Sequence, residues 1–214
     1  MNRVTTQIAG LLVVISGLFG CANHAPLPFN QQPWGNLPIG SDKAPWVTLI
    51  DGEKGLENFN RVGDTNWLAM HGAIQGDRMN SGTGSGYLVT KNAYKDFEIY
   101  AEFWADEETN SGIFIRLINP KVVGTKTSYE VQINDKTPNY PTGSIVNLGK
   151  ATPVRKTEGK WNTFLITAKG DRMVVSMNGE QAVDVSDKAF PGGPFALQYN
   201  SGIIKWRKVM VRPL

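Results

Sequence analysis

The chain has 214 residues, of which 41% are hydrophobic and 19% charged, and its formal net charge is +3. So small an excess of positive charge gives no electrostatic case for binding nucleic acid. A single cysteine and two histidines exclude an internal disulfide and disfavour a zinc site of the usual nitrogen and sulfur type.

The first 21 residues are predicted to be an export signal. They contain Arg3, an apolar run from Ile8 to Phe19, and a final cysteine, Cys21, in a pattern that resembles a bacterial lipoprotein signal with its lipobox. An apolar run of about a dozen residues is too short to span a bilayer comfortably, which favours a cleaved signal. We therefore expect Cys21 to be the lipidated first residue of the mature chain, with an uncleaved amphiphilic tail as the alternative.

The next segment, residues 22–45, is predicted to be a tether. It has little periodicity and carries prolines at positions 26, 28, 33 and 38, a composition typical of linkers. Ala22, rather than an aspartate, follows the cysteine, which by the sorting habit of such lipoproteins predicts an exported protein that is an outer-membrane lipoprotein or faces the periplasm. The folded domain then spans residues 46–214, which is enough for one sizeable core.

Strand patterns recur along this domain, whereas no convincing amphipathic helix is found. Alternating or β-rich runs predict strands at 86–89, 97–104, 110–116, 129–135, 164–168, 173–177, 181–185, 195–199 and 204–211. Asn178-Gly179 lies between two of them and predicts a tight hairpin, because a primed turn needs positive φ at both central residues. Many short strands and 23 glycines predict an all-β sandwich of two antiparallel sheets.

The strand at 110–116 is predicted to have one polar and one apolar face. Because side chains alternate across a strand, Phe114 and Arg116 should share one face, and Ile113, Ile115 and Leu117 the other. If the second set points into the core, the Arg116 guanidinium lies on the outer surface.

The strand at 129–135 repeats this pattern with Glu130, Gln132 and Asn134 at alternate positions. Together with Arg116 these side chains would place a cation, a carboxylate and two amides on one surface, which suits a sugar-sized polar ligand. The alternatives are an ordinary solvated sheet face and a cross-strand salt bridge between Glu130 and Arg116.

Short motifs follow one another in a characteristic order along the domain. They are Trp46–Gly52 with Gly55-Leu56, Tyr94–Glu98, Asn110–Gly112 with Arg116, Tyr129–Ile133, Thr142-Gly143, Trp161-Asn162, Asn178-Gly179 and Leu197-Gln198. In this order they resemble the 3-keto-disaccharide hydrolase domain family over essentially all of residues 46–214. The resemblance implies a concanavalin A-like jelly roll that binds its ligand on one concave sheet and cleaves 3-keto-glycosides.

Two segments depart from the family pattern. Where the family often reads Leu-Gln-Asp-His-Gly, this chain has Tyr199 and Asn200 in place of the aspartate and histidine, and Val146 replaces a frequent tyrosine. A role of that histidine or tyrosine does not transfer to this chain. A non-catalytic carbohydrate-binding protein is therefore the alternative function, and an envelope scaffold without sugar affinity is a third.

The alternating residues at 130, 132 and 134 disfavour an ordinary glycosidase. Retaining hydrolysis needs two carboxyl groups about 5 Å apart, and the amides of Gln132 and Asn134 can serve as neither. A 3-keto sugar needs only one base to start cleavage, because its ketone acidifies the proton on C2. We predict that Glu130 removes this proton, that the substituent on C1 is eliminated, and that water adds to the resulting enone.

The remaining site residues follow from this chemistry. Arg116 or a bound divalent cation would stabilise the enediolate, and the acidic run Asp106–Glu108 is one place for such a cation, with a solvated loop as the alternative. Asn110, Gln132 and Gln198 would orient sugar hydroxyls, and Trp104 would stack on a sugar ring or pack in the core. A sugar 3-oxidoreductase that produces the ketone is the implied partner.

Overall fold

The computed structural model describes residues 44–214. The predicted signal with Cys21 and nearly all of the predicted tether lie outside the described residues. Within them no helix is long and apolar enough to cross a membrane.

The described residues form thirteen strands and one short 3-10 helix. The helix is Leu56–Asn58, and the strands are β1 (Val47–Asp51), β2 (Phe59–Val62), β3 (Thr65–Met70), β4 (Ala73–Met79), β5 (Gly86–Thr90), β6 (Phe97–Ala105), β7 (Ser111–Ile115), β8 (Tyr129–Ile133), β9 (Trp161–Lys169), β10 (Arg172–Met177), β11 (Glu180–Ser186), β12 (Ala196–Tyr199) and β13 (Ile204–Pro213). The nine predicted strands are all confirmed, whereas β1, β2, β3 and β4 were not predicted.

The strands form two antiparallel sheets. The eight-stranded sheet has the order β11-β10-β9-β6-β13-β4-β3, with β1 also paired to β13, and the five-stranded sheet has the order β2-β5-β12-β7-β8. The predicted Asn178-Gly179 hairpin joins β10 to β11, with φ of 53° and 86° at its two central residues. The prediction of an all-β sandwich of two antiparallel sheets is confirmed.

The main core lies between the two sheets. On β6 every second residue from Phe97 to Ala105 is buried, while the residues between them are partly exposed. The five-stranded sheet meets this face with Leu88, Ile113, Val131 and Leu197, which belong to the same apolar cluster. Each large apolar side chain buried in this way contributes roughly 1.5–3 kcal/mol relative to an exposed one.

A second apolar cluster lies on the outer face of the five-stranded sheet. It consists of Tyr87, Val89, Phe114, Leu117 and Ala196, with the half-buried Val62 and Val123 packed against it. Consequently β5 and β7 are buried along their whole length. Part of the outer face of this sheet is therefore screened from water, and polar side chains at its margin become desolvated.

Candidate functional site

Arg116 does not share a face with Phe114, so this prediction is wrong. Ile113 and Ile115 face the main core, but Leu117 joins Phe114 in the outer cluster. The cause is the backbone of Arg116, whose φ of 57° lies in the left-handed region and ends the alternation just after β7. Leu117, rather than Arg116, therefore returns to the outer face.

Arg116 is instead held at a buried position beside the loop before β6. Its Nε donates to the carbonyl oxygen of Lys95 (3.2 Å), and its Nη2 lies 3.4 Å from Oδ1 of Asp96. Only 1% of the side chain is exposed, and this burial lowers the pKa of the guanidinium. The predicted alternative, a salt bridge between Arg116 and Glu130, is also not formed. The guanidinium thus lies off the surface that carries Glu130.

Trp104 is also separated from Glu130. It lies on β6 of the eight-stranded sheet, at a half-buried position between the core residues Phe103 and Ala105. Its ring has Nζ of Lys205 4.6 Å from the centroid, so it faces outward from the opposite sheet. It cannot contact a sugar that is held at Glu130.

Glu130 occupies a desolvated position on the outer face of β8. It lies opposite Phe114 of β7, and on its other side its carbonyl oxygen accepts a hydrogen bond from the amide of Val146 (3.0 Å). Only 8% of the residue is exposed. This burial raises the pKa of Glu130 to about 7, with no hydrogen bond or neighbouring cation offsetting it. Near neutral pH the group is therefore able to accept a proton.

Gly112 provides the space over which this carboxylate extends. A side chain on residue 112 would begin 3.3 Å from Oε1 of Glu130 and 3.4 Å from its Cγ. Gly112 pairs with Gln132 of β8, and the register of β12 against β7 places Gln198 on its other side. The backbone of Gly112 is therefore the floor of a site that Glu130, Gln132 and Gln198 border. We call this group of four residues the Gly112 site.

Two amide oxygens of the Gly112 site are buried without a partner. Neither Oε1 of Gln132 nor Oε1 of Gln198 receives a hydrogen bond, and both are closed to solvent. A buried acceptor left unpaired costs about 1–3 kcal/mol. Such groups are few in native proteins, and a functional role, strain or a bound water or ion accounts for them.

Further amides continue the outer face beyond the Gly112 site. Asn110, two residues before Gly112, forms a bridge with Ser201, and by alternation its side chain lies on the same face. Asn200 donates from Nδ2 to Oγ of Ser85 (2.7 Å), which also accepts from Nε2 of Gln198 (3.4 Å). Gln132 and Gln198 thus lie on the face of Glu130, and alternation along the chain predicts the same face for Asn110.

Sequence reasoning missed the roles of Gly112 and Ser85. A glycine within an otherwise apolar strand is a signal of close approach, and this could have identified Gly112. Ser85 carries no such signal, because its contacts depend on the pairing of β5 with β12.

The departures from the family pattern divide between site and core. Val146 lies beside Glu130 and presents no polar group, and Asn200 lies at the margin of the Gly112 site. Tyr199 is 5% exposed and belongs to the main core. The replaced tyrosine and histidine positions are therefore both close to the candidate site, whereas position 199 is not.

Asp135, the carboxylate that follows β8, hydrogen-bonds to two loops. It accepts hydrogen bonds from the amides of Thr157 (2.6 Å) and Glu158 (3.2 Å) and from the hydroxyl of Thr142 (2.5 Å). These bonds occupy both of its oxygens. Asp135 is therefore a structural group rather than a second catalytic carboxylate beside Glu130.

The acidic run Asp106–Glu108 forms a solvated loop. Asp106 accepts from the hydroxyl of Thr109 (2.7 Å), and Glu108 and Glu107 pair with the ammonium of Lys136. Between residues 44 and 214 no group of three or more His, Cys, Asp or Glu side chains is placed to hold a metal ion.

The domain matches a known protein family over nearly all of the described residues. Residues 45–212 match the family described as the 3-keto-alpha-glucoside-1,2-lyase-like domain. Comparison with curated proteins gave no match.

Several solved structures share the fold. A candidate glycosyl hydrolase from Parabacteroides distasonis superposes with a TM-score of 0.64 at 24% identity, over 79% of this chain and 100% of that one. The carbohydrate-binding module CBM66 from Bacillus subtilis has a TM-score of 0.55 at 14% identity, over 82% and 99%. The exoplasmic/lumenal domain of VIP36, with Ca²⁺ and mannose bound, has a TM-score of 0.56 at 10% identity, over 78% and 89%. These likenesses confirm the lectin-like jelly-roll fold.

Proposed function

Because the chain belongs to the 3-keto-alpha-glucoside-1,2-lyase-like domain family, we propose that it cleaves 3-keto-glycosides at the Gly112 site, with Glu130 as the base. One observation carries this proposal. Glu130 is a buried carboxyl group whose pKa is raised to about 7, and it extends over an open glycine floor between two amide side chains. A base of this kind is half ionised near neutral pH, which is the condition for efficient proton transfer.

The reaction that we propose begins at C2 of the oxidised sugar. Glu130 takes the C2 proton, and the electron pair of the broken C–H bond forms an enediolate whose charge lies on the ketone oxygen at C3. When this pair returns to form a C1–C2 double bond, the bond from C1 to its oxygen substituent breaks. The departing oxygen takes the proton that Glu130 holds and leaves as an alcohol, which regenerates the carboxylate. Water then adds at C1 and a proton at C2, which completes a net hydrolysis.

The charge on the ketone oxygen needs a stabilising group other than Arg116. That guanidinium is bonded to Lys95 and Asp96 away from the site. Asn110, two residues before Gly112, is one side chain able to donate to this oxygen, and a bound divalent cation is another source of stabilisation. Gln132 and Gln198 would orient the hydroxyls of the same sugar.

The second candidate function is carbohydrate binding without cleavage. In support of it, Val146 and Asn200 replace, at the margin of the site, residues that the family often has as tyrosine and histidine. Both candidates agree with a carbohydrate-related domain that is either glycosyl hydrolase-like or carbohydrate-binding.

The test is to incubate the purified protein with a 3-keto-glucoside and with its unoxidised parent, each with and without a chelator, and to follow the released alcohol. Cleavage of the keto sugar alone supports the elimination, and its loss with chelator adds a cation. The variant Glu130→Gln should abolish release, whereas Glu57→Gln, at an exposed carboxylate of the 3-10 helix, should not. Binding of both sugars without cleavage would support the second candidate, and no binding would support an envelope scaffold.

We also propose that Cys21 is lipidated and that residues 22–45 tether the domain to the outer membrane. The lipobox-like sequence and the prolines of the tether support this proposal. The substrate chemistry requires a sugar 3-oxidoreductase in the same compartment as the implied partner. In cells, Cys21→Ala should move the protein out of the detergent-soluble membrane fraction, and an unchanged distribution would contradict the anchor.

A further inference from the structure

Ser85 determines how one amide of the Gly112 site is oriented. Its Oγ accepts a hydrogen bond from Nδ2 of Asn200 at 2.7 Å and from Nε2 of Gln198 at 3.4 Å. A serine hydroxyl has two lone pairs, and these two amide donors occupy them. Since nitrogen and oxygen lie on opposite sides of the amide group, holding Nε2 at Ser85 turns Oε1 of Gln198 away from it.

Each of the two glutamines of the site therefore holds one unpaired, buried acceptor. Oε1 of Gln198 and Oε1 of Gln132 are both buried and unpaired, and they flank the same glycine from neighbouring strands. An acceptor of this kind is satisfied by a hydroxyl hydrogen, whereas a ketone, a ring oxygen or a glycosidic oxygen has no hydrogen to give.

We propose that Gln132 and Gln198 form a diol subsite, which accepts hydrogen bonds from two hydroxyl groups of the sugar that is cleaved, and that Ser85 is the positioning residue that keeps Gln198 in its accepting orientation. This inference rests on the proposed function, since it specifies which groups of the substrate the Gly112 site recognises. In this arrangement two hydroxyl groups of the sugar donate to side chains of β8 and β12, and the ketone oxygen accepts a hydrogen bond from a different group.

The burial of both oxygens strengthens the selectivity of the subsite. Both acceptors are closed to bulk solvent, so a hydroxyl that reaches them after a small side-chain shift gains a hydrogen bond at little cost of desolvating the acceptor. A sugar with hydrogen in place of that hydroxyl leaves the oxygen unpaired and gains nothing. Removal of one such hydroxyl should therefore lower kcat/KM by about tenfold.

The experiment compares four proteins: the wild type, Ser85→Ala, Ser85→Thr and the control Ser81→Ala. Ser81 lies on the same loop, but its hydroxyl donates to Asp64 and does not contact Gln198. For each protein kcat and KM are measured with a 3-keto-glucoside and with its 4-deoxy and 6-deoxy analogues, which leave the reacting C1 and C2 unchanged. A thermal melt of each protein accompanies the kinetics.

We expect the wild type to lose about tenfold in kcat/KM on at least one deoxy analogue. In Ser85→Ala, KM for the full substrate should rise about tenfold with kcat within about twofold, and the deoxy penalty should fall below about threefold, because Gln198 can then rotate. Ser85→Thr, which keeps the hydroxyl, and Ser81→Ala should behave as the wild type. A merely structural role of Ser85 would lower the melting temperature and leave the deoxy penalty unchanged.

Two results would overturn the subsite: indifference of the wild type to both deoxy analogues, or an unchanged penalty in Ser85→Ala. If the wild type cleaves no 3-keto-glycoside, the proposed function fails instead, and calorimetric titration of the four proteins with methyl glucoside and its deoxy analogues then tests the subsite alone. The same pattern in Kd would uphold it, and no difference between the sugars, or no binding, would refute it.

Discussion

Oε1 of Glu130 lies 3.3 Å from the point at which a side chain on Gly112 would begin. The carboxylate thus extends over the neighbouring strand and uses the space that glycine leaves open. Carboxylate, floor and flanking amides come from three adjacent strands of one sheet, which makes the site rigid and sensitive to single atoms.

Gly112→Ala should therefore impair the site directly. The new methyl group would press on Glu130 and come within 3.0 Å of the carbonyl oxygen of Val131. A displacement of the base by even 1 Å can cost about 100-fold in rate, so we expect kcat/KM to fall by about that factor. The control is Gly124→Ala, where an added Cβ would have no heavy atom within 4 Å, and it should cleave as the wild type does. Near-normal cleavage by Gly112→Ala would refute the role of Gly112 as the floor of the site.

Glu130→Gln should abolish cleavage and yet stabilise the protein in mild alkali. The folded-state pKa of about 7 lies above the ordinary 4.5, so the contribution of Glu130 to stability is fully present below pH 4.5 and is lost as pH rises through 7. That difference in pKa corresponds to about 3 kcal/mol. Thermal melts at pH 8 should show a higher Tm for the variant and melts at pH 4 no difference. A lower Tm at pH 8 would contradict this account of Glu130.

The pH dependence of cleavage should follow the same ionisation. Only the carboxylate form of Glu130 can take the C2 proton, so kcat/KM should rise with pH, reach half its maximum at about 7 and then level off. Rates of alcohol release between pH 5 and 9 measure this curve, and Glu57→Gln should give the same profile. A midpoint near 4.5 would indicate a solvated carboxylate and exclude Glu130 as the titrating base.

Arg116→Met should reduce stability and leave turnover intact. The substitution removes a buried cation from Asp96 and a donor from the carbonyl of Lys95. Because Asp96 keeps a side-chain exposure of 29%, water can partly solvate it, and we expect a loss of about 1–3 kcal/mol. Denaturant unfolding and kinetics well below the Tm measure the two effects. A fall in kcat with unchanged stability would instead place Arg116 at the reacting sugar.

Trp104→Ala should leave sugar binding unchanged, because this ring lies on the outer face of the opposite sheet next to Lys205. We expect KM within about twofold of the wild type. Gln132→Ala is the matched contrast on the face of Glu130 and should raise KM about tenfold, since it removes one hydrogen bond to the sugar. Weakened binding by Trp104→Ala would mean that the eight-stranded sheet also takes part in recognition.

The strands that sequence alone predicted correctly have strong local patterns. In β6 the alternation of apolar and polar residues was unbroken, and Asn178-Gly179 marked its hairpin through the positive φ that such turns require. Strands β3 and β4 were missed because polar residues and Gly76 interrupt their patterns, so their place in the sheet depends on pairing with each other and with β13.

For the candidate site, sequence by itself predicted Glu130, Gln132 and Gln198, because alternation and the family motifs are local properties of the chain. Tertiary structure alone decided the rest. Arg116 does not lie on the predicted face, because its left-handed backbone ends the alternation and its side chain pairs with Asp96. Trp104 lies on the other sheet. The floor at Gly112 and the contact of Ser85 with Gln198 exist only because strands distant in sequence pair, and no local pattern encodes which strands become neighbours.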